Sequence, residues 1–291
     1  MLTALPRIDG DQQSASLSAG IENLTARVTE AWKGEPGPKL RLLPKLITLD
    51  EVRAIAPPET RKLWLGVDEG NLAPIGIDPK AEPHLFLYGD SGSGKSSMLR
   101  NYAKEITRLY GPKEAKIFVL DYRRALLGEI PEEYVGSYLT THDAALSGVS
   151  ELAAFFRSRL PGKDVTPEQL RNRTWWTGAE GFLLIDDYDL VATSQGNPLL
   201  SIVPMLAQAA DVGLHVVVTR RAGGASRASY DPVLQAMTDL GTTGILLSGN
   251  PEEGQLIGKV RAVKSAPGRA QIVSRELGVV GAQLSFSPSK Y

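Results

Sequence analysis

The sequence predicts an α/β domain in which a mostly parallel central sheet is flanked by helices on both faces. Three observations lead there. Runs such as Phe182-Leu-Leu-Ile185 and Val216-Val-Val218 are continuously apolar, as strands buried on both sides must be. Stretches of helical periodicity separate them. A Gly-rich loop sits between one strand run and one helix run, where open α/β sheets place phosphate sites.

Taken in order, residues 1–60 read as a linker or extension. A polar stretch leads to apolar residues at Ile21, Leu24, Val28, Ala31 and Trp32, spaced as one face of a helix. Gly34-Glu-Pro-Gly-Pro38 stops that helix, and a Leu-rich basic segment follows over 39–47. Thr48-Leu-Asp-Glu51 is a capping box for a short helix ended by Pro57-Pro58. The main domain is expected over 61–291. Its strands are expected at 74–77, 85–88, 117–120, 138–140, 182–185, 214–218 and 245–247, with a terminal pair at 271–273 and 283–286. Helices are expected between them at 95–110, 142–160, 166–175, 198–211 and 230–240.

Composition removes several function classes. The 291 residues carry 32 Lys plus Arg against 33 Asp plus Glu, a net charge of −1, which argues against a dedicated nucleic-acid binder. There are no cysteines and 3 histidines, so disulfide scaffolds, thiolate nucleophiles and Cys-ligated metals are excluded. No apolar run approaches the roughly 20 residues of a membrane-spanning helix, and the first residues lack the pattern of a signal peptide. A cytoplasmic chain is expected.

The chemistry concentrates at Gly89-Asp-Ser-Gly-Ser-Gly-Lys-Ser96, which fits the P-loop pattern between the strand run 85–88 and the helix face Met98, Tyr102 and Ile106. The fold class is therefore a RecA-like P-loop NTPase. Gly89, Asp90, Ser91, Gly92, Ser93, Gly94, Lys95, Ser96 and Ser97 form the expected nucleotide cradle. Its glycines allow the backbone N–H groups to converge at the positive end of a helix. Lys95 reaches the β- and γ-phosphates, and the Ser96 hydroxyl ligates Mg²⁺. Acids at a strand end often serve only as turn caps. With a P-loop upstream, Asp186 becomes the magnesium-side carboxylate and Asp187 the residue that polarises the attacking water. Asp is shorter than Glu by a methylene, so slow hydrolysis is expected, or a site that a partner closes.

Thr219 ends the run 214–218 and reads either as a strand-end hydrogen bonder or as a γ-phosphate sensor. Arg220 and Arg221 compete with Arg157 and Arg159 as arginine fingers or surface charges. His84 and His215 read as satisfied core or edge histidines and His142 as a loop or helix-start residue. Trp175-Trp176 reads as core packing, or as a paired aromatic near a domain edge that serves a partner.

Several segments together resemble the EccC family, the FtsK/SpoIIIE-type ATPases of type VII (ESX) secretion systems. They are Trp175-Trp-Thr-Gly178, Phe182-Leu-Leu-Ile-Asp-Asp-Tyr-Asp-Leu-Val191, the stretch from Gly213 through Thr219-Arg-Arg-Ala-Gly-Gly-Ala-Ser-Arg-Ala228, Leu247-Ser-Gly-Asn-Pro-Glu-Glu-Gly254 and Pro267-Gly-Arg269. The likeness runs over roughly 60–290 and points to the last of the family's tandem ATPase modules. Leu5-Pro-Arg-Ile-Asp-Gly10 resembles the linker out of a preceding module, so Met1 reads as an expression start and the chain as a C-terminal piece of a longer protein.

The resemblance implies an ATP- and Mg²⁺-binding module of a membrane-anchored motor, at the cytoplasmic face of the cell membrane, touching the membrane only through the larger complex. It implies, as partners, secreted dimers of small helical WXG-motif proteins docking through a C-terminal signal, and the other ATPase modules. Carried over by position, Gly89, Gly92, Gly94, Lys95 and Ser96 fall on the P-loop, Asp186 and Asp187 on the metal and water positions, and Thr219 on the phosphate-sensing position. Last modules of the family often bind nucleotide with little turnover. Two other readings share the fold: an FtsK-type DNA translocase, and a nucleotide-locked binding platform without catalysis. The short stretch after residue 278 leaves no room for a DNA-reading winged helix, and the charge of −1 disfavours DNA.

Overall fold

The computed structural model describes residues 6–290 apart from 36, 38–40, 59 and 226, so Met1, Leu5, Pro36, Pro38, Lys39, Leu40 and Ser226 of the segments above lie outside the described residues. Residues 1–41 and 42–291 form two compact units. In the first, α1 (Leu17–Ala31) follows a turn in which Arg7 bonds Asp9 and Asp11.

The second unit begins with α2 (Leu49–Ile55), whose capping box closes in both directions: Glu51 N–H donates to the Thr48 hydroxyl, and Thr48 N–H donates to the Glu51 carboxylate. Then come β1 (Leu63–Asp68), β2 (Pro74–Ile77), β3 (His84–Tyr88), α3 (Lys95–Leu109), β4 (Ala115–Leu120) and β5 (Val135–Leu139). They are followed by α4 (His142–Arg157), α5 (Pro167–Asn172), β6 (Glu180–Ile185), α6 (Tyr188–Val191), α7 (Ala209–Val212), β7 (Leu214–Arg220), α8 (Pro232–Asp239) and β8 (Thr243–Leu246). A two-stranded ribbon of β9 (Gln255–Ile257) and β10 (Val260–Arg261) precedes β11 (Arg269–Ser274) and β12 (Gly278–Leu284).

One ten-stranded sheet runs in the order β2-β1-β12-β11-β8-β3-β7-β6-β4-β5. From β8 to β5 the neighbours are parallel, and from β8 back to β2 they are antiparallel. The expected RecA-like α/β architecture is therefore present. Alternation along the strands fills two layers. Leu85, Leu87, Phe182, Leu184 and Val217 join Met98, Leu99, Tyr102 and Ile106 of α3 in one. Phe86, Tyr88, Leu183, Ile185, Val216 and Val218 join Val149, Leu152 and Phe156 of α4 and Val233, Leu234 and Met237 of α8 in the other. Strand β7 is buried along all its residues, as its continuous apolar run requires.

Four differences from the sequence expectation have physical causes. The compact division falls at 41/42 rather than near 60, because α2 packs Val52 on Trp64 and Val67 of β1, with Leu43 and Ile47 beside them. Strand β1 itself is additional, and Gly66 lies in it where a Cβ would run into the Gln283 carbonyl and stand 2.8 Å from Leu284 Cα of β12. The stretch 198–211 is not one helix but two 3-10 turns, Pro198–Ser201 and Val203–Gln208, before α7. Pro204 lacks the N–H a continuous helix needs, and its ring collides with the preceding turn. Helix α5 ends early because Arg173 turns into the left-handed region at φ 52°.

A buried carboxylate ties the helix behind the P-loop to the sheet edge. Glu105 of α3 is fully buried and accepts from Arg53 Nε (2.7 Å), Arg108 Nη2 (2.7 Å) and the Trp64 N–H (3.0 Å). Replacing it by Ala leaves the Trp64 N–H without its acceptor and Arg108 without its anion, while Arg53 keeps Asp50 (3.1 Å). We expect Glu105→Ala to cost about 2–4 kcal/mol, read by urea denaturation, because partly exposed arginines recover some hydration.

Candidate functional site

Strand β3 runs into the loop 89–94, and α3 starts at Lys95, the strand-loop-helix order a P-loop needs. A Cβ on Gly89 would collide with the Ser93 hydroxyl and with Leu247, and Gly92 and Gly94 adopt φ of 74° and 116°. The glycines thus answer to close approach at one position and to left-handed backbone at two. The loop is braced from outside: Asp90 N–H donates to the Ser248 carbonyl (2.8 Å), Gly268 N–H to the Ser93 carbonyl (3.0 Å), and Lys264 pairs with the Asp90 carboxylate (2.7 Å). Lys95 folds back over the loop, donating to the carbonyls of Gly89 (3.1 Å) and Asp90 (3.3 Å).

Strand β7 lies between β3 and β6, and its end joins the loop to the two acids. Asp186 accepts from the Ser96 hydroxyl on Oδ2 (2.7 Å) and from the Thr219 hydroxyl on Oδ1 (2.7 Å). Thr219 Oγ1 also accepts the Asp187 N–H (3.0 Å). Burial pushes the Asp186 carboxyl above the usual range, against the pull of those two hydroxyl donors. Asp187 sits at φ 48°, uncommon for a residue with a Cβ, and its carboxylate lies 3.6 Å from Lys95 Nζ and 3.2 Å from Arg123 Nε.

A cavity of about 330 Å³ opens above this arrangement, lined by the P-loop and by Arg123, Ala125, Asp186 and Asp187. Ser91, Gly92, Gly94, Lys95, Ser96 and Ser97 contribute from the loop, and the buried Ser97 hydroxyl has no hydrogen-bond partner among the described residues. Gly89, Asp90 and Ser93 shape the loop from behind. Thr219 is fully buried, with its hydroxyl spent on Asp186 and Asp187, so it orients the acid pair rather than lining the cavity. The donor set suits a hard divalent cation. The Ser96 hydroxyl and the Asp186 carboxylate are oxygen ligands in contact, and Asp186 has no ion-pair partner among the described residues.

Arg123 is the site residue that sequence reasoning missed. The signal was Asp121-Tyr-Arg-Arg124, polar residues following strand run 117–120 at the same sheet end as the P-loop. Asp121 builds that corner, accepting from Arg123 N–H (3.1 Å), Leu126 N–H (2.8 Å) and Tyr138 Oη (2.6 Å). The arginines singled out from sequence go elsewhere. Arg159 donates to the Val212 carbonyl (3.1 Å) and stacks on Trp176 at 4.1 Å, a packing role. Arg157 is exposed on α4, Arg221 pairs with Asp189 (2.7 Å), and Arg220 donates to the carbonyls of Arg221 and Gly224.

The histidines and tryptophans read as structural residues. Burial pushes His84 down to about 4, and its ring bridges the Leu206 carbonyl and the Val216 N–H. His215 bonds Glu180 (3.0 Å) and stacks on Phe182, while His142 opens α4. Trp175 and Trp176 donate to the carbonyls of Arg159 and Asp211, both at 2.7 Å.

No family model matches the chain. It is 40% identical to the ESX secretion system protein EccC of Thermomonospora curvata over 288 residues, 99% of this chain and 22% of that protein. Among solved structures, Thermomonospora curvata EccC (ATPases 2 and 3) in complex with a signal sequence peptide superposes with a TM-score of 0.85 at 39% identity, over 99% of this chain and 52% of that one. A structure described as an ATPase gives a TM-score of 0.79 at 30% identity, over 85% of this chain and 97% of that one. The chain spans about a fifth of the length of the first curated relatives it matches. With sequence likeness along almost its whole length and the same fold at high superposition, the chain belongs to the EccC family of ESX (type VII) secretion ATPases, of whose proteins it matches one ATPase module.

Proposed function

We propose that this chain is the last ATPase module of a type VII secretion motor, binding Mg·ATP at the P-loop and hydrolysing it slowly. The reading is carried by one observation: Ser96, Asp186, Thr219 and Asp187 form a continuous chain of hydrogen bonds beside Lys95, on the wall of a cavity of about 330 Å³. Lys95 and the loop N–H groups would hold the β- and γ-phosphates, and Ser97 has a hydroxyl free for the polyphosphate. Ser96 and Asp186 would hold Mg²⁺, which neutralises phosphate charge, and Asp187 would orient the attacking water. The partners would be secreted WXG-motif dimers presenting a C-terminal signal, together with neighbouring modules. The relative solved with a signal sequence peptide supports the docking of a signal.

The module would work at the cytoplasmic face of the membrane, held there by the larger complex. Among the described residues no helix is long and apolar enough to cross a membrane. The nucleotide-locked platform remains the second reading, favoured because both Lys95 and Arg123 face the short acid that would polarise water. The net charge of −1 disfavours DNA translocation.

Titration calorimetry with Mg·ATP tests the site: the wild-type chain binds, Lys95→Ala does not, and turnover stays well below about 10 s⁻¹. Brisk hydrolysis by the isolated wild-type chain would remove the platform reading. Asp187→Glu extends the acid by a methylene toward the cavity and should raise turnover; an unchanged rate would place the limitation outside this side chain.

Asp186→Asn gives a third readout. Because burial raises the folded carboxyl above its unfolded value, its stabilising contribution is present at low pH and lost as pH rises through the folded pKa. At neutral pH without nucleotide, the Asn variant should therefore melt a few degrees higher than wild type while losing Mg²⁺-dependent ATP binding. The difference should shrink on acidification.

A further inference from the structure

We propose that Arg123 is the γ-phosphate sensor of this site, held on Asp187 in the nucleotide-free chain and exchanging it for the terminal phosphate of a bound triphosphate. The proposal rests on the nucleotide reading above and assigns a residue that decides between triphosphate and diphosphate. Four groups set the charge of the cavity: Lys95 and Arg123 against Asp186 and Asp187. They balance without a ligand. A magnesium-bound nucleotide upsets the balance with net negative charge, and the triphosphate does so by one charge more than the diphosphate.

The geometry marks Arg123 as the cation able to respond. Its backbone is fixed by the bond from its N–H to Asp121 (3.1 Å), and the next residue turns at φ 60°, so the start of the side chain is held at the cavity wall. The side chain beyond is 53% exposed, and among the described residues Asp187 is its ion-pair partner, through Nε at 3.2 Å. A long, half-exposed guanidinium with one partner swings at little cost, and its planar fork matches phosphate oxygens.

Asp187 is the opposite case. It is 7% exposed, its backbone is locked in the left-handed region, and its Oδ1 is buried without a hydrogen bond among the described residues, 3.6 Å from Lys95 Nζ. The acid cannot follow the ligand, but its two cations can leave it. The triphosphate would then draw Lys95 and Arg123 off Asp187 and release that carboxylate to face a water. A diphosphate lacks the group that reaches Arg123, and the acid stays covered.

The test is calorimetry of the whole chain with Mg²⁺ and either a non-hydrolysable ATP analogue or ADP. Arg123→Ala should weaken the triphosphate analogue by about tenfold and ADP by less than about twofold, the loss of a charge-assisted contact made by one ligand alone. Arg123→Lys should recover part of the difference. Asp187→Asn removes the competitor and should tighten the triphosphate several-fold, a gain that shrinks, when Arg123→Ala is added, to the part owed to Lys95, which Asp187 also holds.

Equal losses for both nucleotides would mean that Arg123 only shapes the cavity and would overturn the proposal. So would an unchanged ratio in Arg123→Ala, or an Asp187→Asn gain that Arg123→Ala leaves undiminished. A wild-type chain that binds neither nucleotide overturns the nucleotide reading itself, a separate and visible result.

Discussion

The site depends on an acid taken out of water and held by two hydroxyls. Asp186 is buried at the end of β6, and what keeps it in place is a short chain of oxygen contacts reaching Ser96 on one side and Thr219 on the other. These residues come from three elements: the first turn of α3, the end of β6 and the end of β7. The contacts therefore fix the position of the helix relative to two strands. Because β7 is wedged between β3 and β6, its register with both is the measure that brings loop, acid pair and hydroxyl to one level. A one-residue slip would send Thr219 to the other face.

Such a site stores cost for function. A buried carboxyl with a raised pKa, a neighbouring acid in left-handed backbone and a lysine donating to its own loop's carbonyls are all poorer arrangements than a packed apolar end. The rest of the molecule offsets them. Both faces of β3, β6 and β7 are covered by helices, and Glu105 joins α3 to α2 and β1 a few turns behind the loop. Rigid layers make the strained corner tolerable, and the corner is where the proposed nucleotide would meet these charges.

Much of this was legible in the sequence where local chemistry is decisive. The P-loop is written in contiguous residues whose backbone demands only glycine satisfies, and Phe182-Leu-Leu-Ile-Asp-Asp187 states its burial and its strand end together. The Thr48 capping box was equally explicit. What escaped depends on partners distant in the chain. Arg123 is one of two adjacent arginines, and nothing local says that Asp121 turns its backbone toward Asp187, 64 positions away. Arg159 stood as a rival arginine-finger candidate, yet Trp176 and the Val212 carbonyl claim it. Helical periodicity over 198–211 was real, but Pro204 overrode it.

The order of the sheet carries one more consequence. A sheet of ten strands ends somewhere, and here one end is β2, four residues long and beginning with Pro74, which has no N–H to offer a further strand. That end was reached by adding an antiparallel flap of β11, β12, β1 and β2 to the parallel half that carries the site. Without the flap, the open rim would be β8, whose four residues are all buried and which pairs directly with the P-loop strand. An open rim there would invite foreign strands to the one place where register decides chemistry. The antiparallel flap keeps adventitious strand pairing away from β8 and the P-loop strand beside it, while the parallel half ends on its other side at β5.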